Sequence, residues 1–306
     1  MKPQTESEWT IQALNIHGAF FERWCREVVD SLAPWHVKYS NYPVEFGGLE
    51  SNLDVRADRN LDGHLVSLLI ECKKHNPEFI DWIFLPKKGV YTGTPLLINE
   101  LRLRPSNLDV GSWSFEGVIG GLRWNSPIAD EARETRGSYS EYSKLQTEKA
   151  PKAAMTKTSN AAITEAARQV AIATQSITRE EFRHGNALGA LKPPRTPGYE
   201  FHHIVPAIVT TARLFQCEFA PADVNPRTGE IPIDRVTLQQ VQHLRLEYPM
   251  PPSLQRQPDP AELGTLLEDR LLERYQRLQM IVIHSEAFEA FLRDFTLNPN
   301  DPMFRM

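Results

Sequence analysis

The run LDVRADRNLDGHLVSLLIECKK constrains this chain more than any other stretch. Asp62-Gly63 lies between two strand-like runs. That is the pattern of two antiparallel strands joined by a two-residue turn. With this turn Leu61 faces His64, and counting back along both strands sets Asp54 across from Glu71. Side chains alternate along a strand, so Lys73 shares the face of Glu71. The opposite face carries Val55, Ala57, Val66, Leu68, Ile70 and Cys72. It is apolar and calls for helices to bury it.

Flanking segments supply such helices. In IHGAFFERWCREVVDSL, residues 16–32, apolar side chains recur at three- and four-residue steps, which predicts one amphipathic helix ended by Pro34. The first fifteen residues read as a tail. VKYSNYPVEF reads as an edge strand, because Pro43 cannot serve a central ladder. HNPEFIDWIFLPKKG reads as a short helix, and residues 88–157 as a partly ordered insertion rich in Gly, Ser and Pro. Residues 159–176 predict a helix with small side chains, capped by Ser159 or Asn160. FHHIVPAIVTTARLFQCEFA predicts two strands, followed by a turn at NPRTGEIP and a strand at VQHLRLEYP. After a proline-rich loop come a helix over residues 262–279, the buried strand MIVIHS and the helix EAFEAFLRDF. The expected fold is an α/β domain with a mixed sheet flanked by helices. It spans 16–250, with residues 251–306 completing the same sheet; a separate small C-terminal domain is the alternative.

Composition narrows the function. The 306 residues are 41% hydrophobic and 24% charged, enough for a real core without disulfide or metal staples. No run reaches the roughly 18 apolar residues of a membrane span. MKPQTESEWT has neither the basic start nor the apolar stretch of a secretory signal. Cys25, Cys72 and Cys217 lie far apart and are odd in number, so reduced thiols in the cytoplasm are expected. The net charge of -5 gives no global signature for nucleic acid, but binding depends on where charge sits.

Two carboxylates that face each other repel unless a cation lies between them. Mg²⁺ suits such a pair, because it takes few protein carboxylates and keeps several waters. A lysine beside them can orient a water and offset developing negative charge. The three together fit metal-assisted attack of water on a phosphodiester.

The arrangement of Asp54, about sixteen residues, then Glu71-Cys72-Lys73 at the end of an apolar strand resembles the PD-(D/E)XK, restriction-endonuclease-like nuclease superfamily. The preceding helix and the placement of the motif on the second and third strands match that family. Leu53 stands where the family usually has proline. The resemblance spans residues 16–86, and 159–220 by layout. It implies that Asp54, Glu71 and the Cys72 carbonyl hold Mg²⁺, or Mn²⁺ in its place, and that Lys73 assists the water. It further implies accessory roles for Glu22 on the first helix and Gln169 on the helix after the motif. The implied function is a DNA endonuclease, as effector of a prokaryotic restriction or antiphage system, working as a homodimer or with a partner protein. An RNase on the same scaffold, and a binding module that has lost cleavage, are the other readings; the complete Asp-Glu-Lys set argues against the latter.

Other features read as structure. Asp58 lies some 13 Å from Glu71 along the hairpin, too far to share a metal, and reads as surface. Glu45 reads as an edge charge that discourages aggregation. His202 and His203 are adjacent, point to opposite faces of a strand and suit no single metal. Phe79, Trp82 and Phe84 read as core or lid rather than a base-stacking platform. Lys144, Lys149, Lys152 and Lys157 are candidate phosphate contacts. Neutralising all four should weaken nucleic-acid binding and flatten its salt dependence, because each phosphate contact releases counterions. An unchanged salt slope in a titration would leave these lysines a solvated surface.

Overall fold

A computed structural model describes residues 6–16, 18–61, 64–75, 80–87, 96–102, 112–117, 119–120, 128–136, 161–190, 201–255 and 277–297. In chain order the elements are α1 (Glu6–Ile16), α2 (Ala19–Ser31), β1 (His36–Phe46), β2 (Leu49–Leu61), β3 (His64–Lys73), β4 (Ile80–Pro86), β5 (Leu96–Arg102), β6 (Ser112–Gly117), β7 (Ile119–Gly120), β8 (Ile128–Arg136), α3 (Ala161–Ala190), β9 (Phe201–Thr210), β10 (Arg213–Phe219), β11 (Val236–Val241), β12 (His243–Pro249), β13 (Arg277–His284), α4 (Ser285–Asp294) and β14 (Thr296–Leu297). Among the described residues twelve strands form one mixed sheet, ordered β1-β2-β3-β9-β13-β12-β8-β4-β10-β11, with β5 on β9 and β6 on β5. β7 and β14 pair separately. β1, β2 and β3 form an antiparallel meander, while β9 runs parallel to β3 and to β13.

Helices cover both faces, as expected for an α/β layering. α3 lies across β1, β2, β3 and β9 on one side. Its buried Ala166, Ala167, Val170, Ala171 and Ala173 let it pack closely on Leu69, Ile204 and Ile208 of the sheet. Thr174 and Thr178 are buried there too, and each hydroxyl donates to the carbonyl four residues earlier, at 2.7 and 2.6 Å. α2 and α4 cover the other side. Cys25, Val29, Phe288, Phe291 and Leu292 meet the apolar face of the hairpin, where Val55, Ala57, Val66, Leu68, Ile70 and Cys72 are all buried. Each large aliphatic group removed from water there contributes about 1.5–3 kcal/mol.

Several expectations need correction. The tail contains a helix, α1, and the predicted helix over 16–32 is divided at Gly18, whose φ of 79° suits a residue without Cβ. Residues 80–86 are a strand and not a helix; Trp82 and Phe84 alternate into the core, and Asp81, Ile83 and Leu85 lie half-buried on the other side. Such burial removes both aromatics from any stacking role, and Phe79 lies outside the described residues. Residues 128–136, assigned to the insertion, form β8 between β12 and β4, with Ile128, Ala129 and Ala132 buried. α3 runs on to Ala190, well beyond residue 176. Residues 277–279, assigned to a helix, open β13, which sits between β9 and β12 in the same sheet. The rest of that expected helix lies outside the described residues.

Asp58 is also not on the surface. It is 2% exposed, and Arg56, at 1%, reaches it with two bonds of 2.9 and 3.2 Å. Arg56 also meets Glu181 of α3 at 2.8 Å. Ser67 donates to Asp58 at 2.6 Å and lies 2.7 Å from Nε2 of buried His202. Burial and the Arg56 charge push the His202 pKa well down, so that imidazole is neutral. This polar cluster ties β2, β3 and β9 to α3. Breaking a buried ion pair by removing one partner costs about 3–5 kcal/mol. Arg56→Ala should therefore lose stability of that order in urea unfolding; a loss under about 1 kcal/mol would mean that water replaces the guanidinium.

Candidate active site

The site is built where the β1–β2–β3 meander stops being regular. Ladder pairing between β2 and β3 runs from Leu61↔His64 to Val55↔Ile70, the register the sequence implied. One step further, where Asp54 would face Glu71, a side chain replaces the backbone pairing. Asp54 Oδ2 accepts the Cys72 N–H at 2.7 Å. The pleat slips at the same point. Leu53 packs in the core beneath α3, whereas Val55, two residues on, packs in the core beneath α2 and α4. Regular alternation would put them on one face. On β1 the pairs Ser40↔Val55 and Tyr42↔Leu53 bracket the slip, and between them Asn41 has φ 48°.

β3 stays regular, so Glu71 and Lys73 both point toward α3. Lys73 Nζ donates to Glu71 Oε1 at 2.6 Å and to Gln169 Oε1 of α3 at 2.8 Å. Glu22, in the first turn of α2, faces the same space. Gly18 starts α2 with a left-handed backbone, φ 79°, which favours a residue without Cβ; a Cβ there would only touch Lys74 Cβ at an ordinary 3.5 Å. Asp54, Glu71, Cys72, Lys73, Glu22 and Gln169 thus all line one cleft of about 490 Å³. The fold brings the side chains of Asp54, Glu71, Lys73, Glu22 and Gln169 together with the Cys72 backbone, from α2, β2, β3 and α3. Glu45 is exposed on edge strand β1 and lines a neighbouring recess. Lys144, Lys149, Lys152 and Lys157 lie outside the described residues. His202 and His203 are buried in the sheet and do not line the cleft.

Sequence reasoning missed Asn41, Asn52, Lys74 and Arg168, which also line the cleft. Arg168 precedes Gln169 on α3 and grips Glu165 with two bonds of 2.9 and 2.8 Å. Lys74 donates to the Asn15 carbonyl and so ties the end of α1 to the rim. Adjacency to the motif residues was the only signal for Lys74 and Arg168. Asn41 carried none beyond the tolerance of asparagine for a left-handed backbone.

The electrostatics are those of a site short of positive charge. Burial pushes Asp54 up to about 6; the Cys72 N–H and Lys73 oppose that rise and Glu22 adds to it. Burial, then the Asp54 charge, pushes Glu71 up to about 8, against the pull of Lys73. Glu71 Oε2 is buried with no hydrogen-bond partner. A buried orphan carboxylate oxygen beside a second carboxylate fits a divalent cation. Among the described residues no three His, Cys, Asp or Glu side chains gather as a complete cage. Two carboxylates with waters are the donor set that Mg²⁺ commonly accepts, whereas a structural Zn²⁺ would need four nitrogen or sulfur ligands.

The raised carboxylate pKa values have a consequence for the metal-free protein. Glu71 holds its proton to about pH 8 when folded, against an ordinary value of 4.5. The folded state therefore binds more protons over that span, and its stability falls as pH rises toward 8. In EDTA, Glu71→Gln should raise Tm at pH 8 by several degrees, roughly 2–4 °C per kcal/mol, and flatten the decline between pH 6 and 8. Calorimetry that finds the same Tm and slope in both proteins would show that Glu71 ionises as an ordinary glutamate. Comparison of the chain with known protein families, with curated proteins and with solved structures finds no match in any of the three.

Proposed function

We propose that this chain is a metal-dependent phosphodiester hydrolase, a DNA endonuclease of restriction-endonuclease-like fold. One observation carries the reading: Asp54 and buried Glu71, whose Oε2 has no hydrogen-bond partner, converge in an open cleft with Lys73 bonded between Glu71 Oε1 and Gln169. Burial raises both acids well above the ordinary carboxylate range despite the lysine beside them, an arrangement that suits a cation and an anionic substrate.

Asp54 and Glu71 are the side chains that would hold Mg²⁺, with the Cys72 carbonyl a third donor by the family resemblance. When bound, the ion supplies a Lewis acid for a phosphate oxygen and lowers the pKa of a coordinated water. The residues do the rest. The Cys72 N–H fixes the Asp54 carboxylate, and Gln169 fixes the Lys73 ammonium. Lys73 projects from the floor of the cleft, where it holds the attacking water and offsets charge that develops on the phosphorane-like transition state. Arg168 at the rim has a planar fork that suits a flanking phosphate. The role of effector in a prokaryotic restriction or antiphage system comes with the family resemblance. A chain with one such cleft cuts one strand, so duplex cleavage calls for two copies.

Incubation with plasmid, linear duplex, single-stranded DNA and RNA, in Mg²⁺, Mn²⁺ or EDTA, tests the reading directly. Cleavage of DNA that EDTA abolishes is expected; cleavage of RNA alone would make the substrate RNA. In the same assay Lys73→Ala should fold, bind metal as well as the wild type or better, and lose at least about a hundredfold in turnover, because its contribution is made in the transition state. Wild-type turnover in that variant would refute the assignment.

A further inference from the structure

The pleat of β2 reverses at the one residue that must leave the regular sheet for the cleft to form, while the β1–β2 register stays in step there and shifts only between Val37 and Tyr39. We infer that Asn41 is a positioning residue: its left-handed backbone turns Asp54 out of the β2 pleat and onto the Cys72 N–H beside Glu71. This inference rests on the metal-dependent reading of the cleft.

Four observations converge. Asn41 is the only non-glycine described residue with positive φ, at 48°. It stands between Ser40↔Val55 and Tyr42↔Leu53, so the position across from it is Asp54 itself. Leu53 and Val55 face opposite cores, which places the reversal of the pleat at Asp54. Finally, Asp54 pairs with β3 through its carboxylate, and the regular ladder ends at Val55↔Ile70. A β-strand that kept its pleat through residue 41 would keep β2 flat beside it. The Asp54 carboxylate would then stand off the sheet face with no access to the Cys72 N–H, and Leu53 would lose its place beneath α3. A local break in a strand can re-aim a side chain, as β-bulges beside active sites do. Asparagine suits the position because, after glycine, it accepts the left-handed region most readily; β-branched residues are genuine outliers there.

Three variants separate backbone from side chain. Asn41→Gly keeps the left-handed backbone and removes the carboxamide. Asn41→Val opposes the backbone. Asn41→Ala carries an intermediate cost and serves if the valine variant does not fold. Two measurements are made on each: Mg²⁺ affinity by calorimetry, and hydrogen exchange of the Cys72 amide by NMR. The glycine variant should match the wild type within about twofold on both. The valine variant should lose roughly tenfold in Mg²⁺ affinity and expose the Cys72 amide to faster exchange by a similar factor, with alanine between, since a left-handed backbone at an ordinary residue shifts an equilibrium by about that much. Wild-type affinity and amide protection in both valine and alanine variants would overturn the inference. So would loss of Mg²⁺ affinity in the glycine variant, which would assign the effect to the carboxamide. The amide readout needs neither metal nor substrate, so it decides the positioning of Asp54 even if the wild type cleaves nothing.

Discussion

A single lysine answers one buried and one half-buried carboxylate at the floor of the cleft, and the surrounding structure is arranged around that imbalance. Glu71 is 2% exposed, and the charge of Asp54 beside it adds to the cost that burial sets on ionising Glu71. Lys73 relieves part of the cost through its 2.6 Å bond to Glu71, but it must be held to do so. Gln169 holds it, which requires α3 to lie at a fixed depth and rotation over β3. The small side chains of α3 set the depth. The Arg56–Asp58–Glu181 cluster pins the helix against the meander some three turns farther on.

The rest of the sheet gives the cluster its rigidity. β3 is covered on both faces, with Leu69 in the core beneath α3 and Leu68 and Ile70 in the core beneath α2 and α4. β9 lies parallel to it along its whole length, to Lys73↔Thr210. Glu71 and Lys73 therefore project from the carboxyl end of a parallel pair, where open α/β sheets commonly bind ligands. α2 begins at Gly18 directly over that end, so Glu22 closes the third side.

Stability is given up at this point of the fold. At Arg56 and Asp58, on the same strand, polar groups are satisfied: Asp58 has Arg56 and Ser67, and Arg56 has two carboxylates. At the cleft the same strands carry an orphan oxygen on Glu71, a broken pleat at Asp54 and a left-handed Asn41. Unfavourable features of this kind persist where neighbouring structure over-determines them, and they gather at sites that do work on a ligand.

The hairpin was legible because its turn and its alternation are local properties. Asp62-Gly63 set the register, and the apolar face of Val55, Ala57, Val66, Leu68, Ile70 and Cys72 announced a core on one side. Helices α2, α3 and α4 showed in their apolar periodicity, although Gly18 divided the first of them and α3 ran farther than its pattern. Asp58 was misread because its partners Arg56 and Glu181 converge through pairing and helix docking that charge pattern alone does not reveal. β4 and β8 were missed because short segments take their conformation from the neighbours that pair with them, β10 and β12 among them. By itself the sequence determined which acids and which lysine share one end of one hairpin. Only the tertiary structure decided that Glu22 and Gln169 join them, that Glu71 is desolvated, and that Asp54 leaves the ladder to reach the Cys72 N–H. Those outcomes depend on how far apart in the chain the packed surfaces lie, and periodicity carries no information about that.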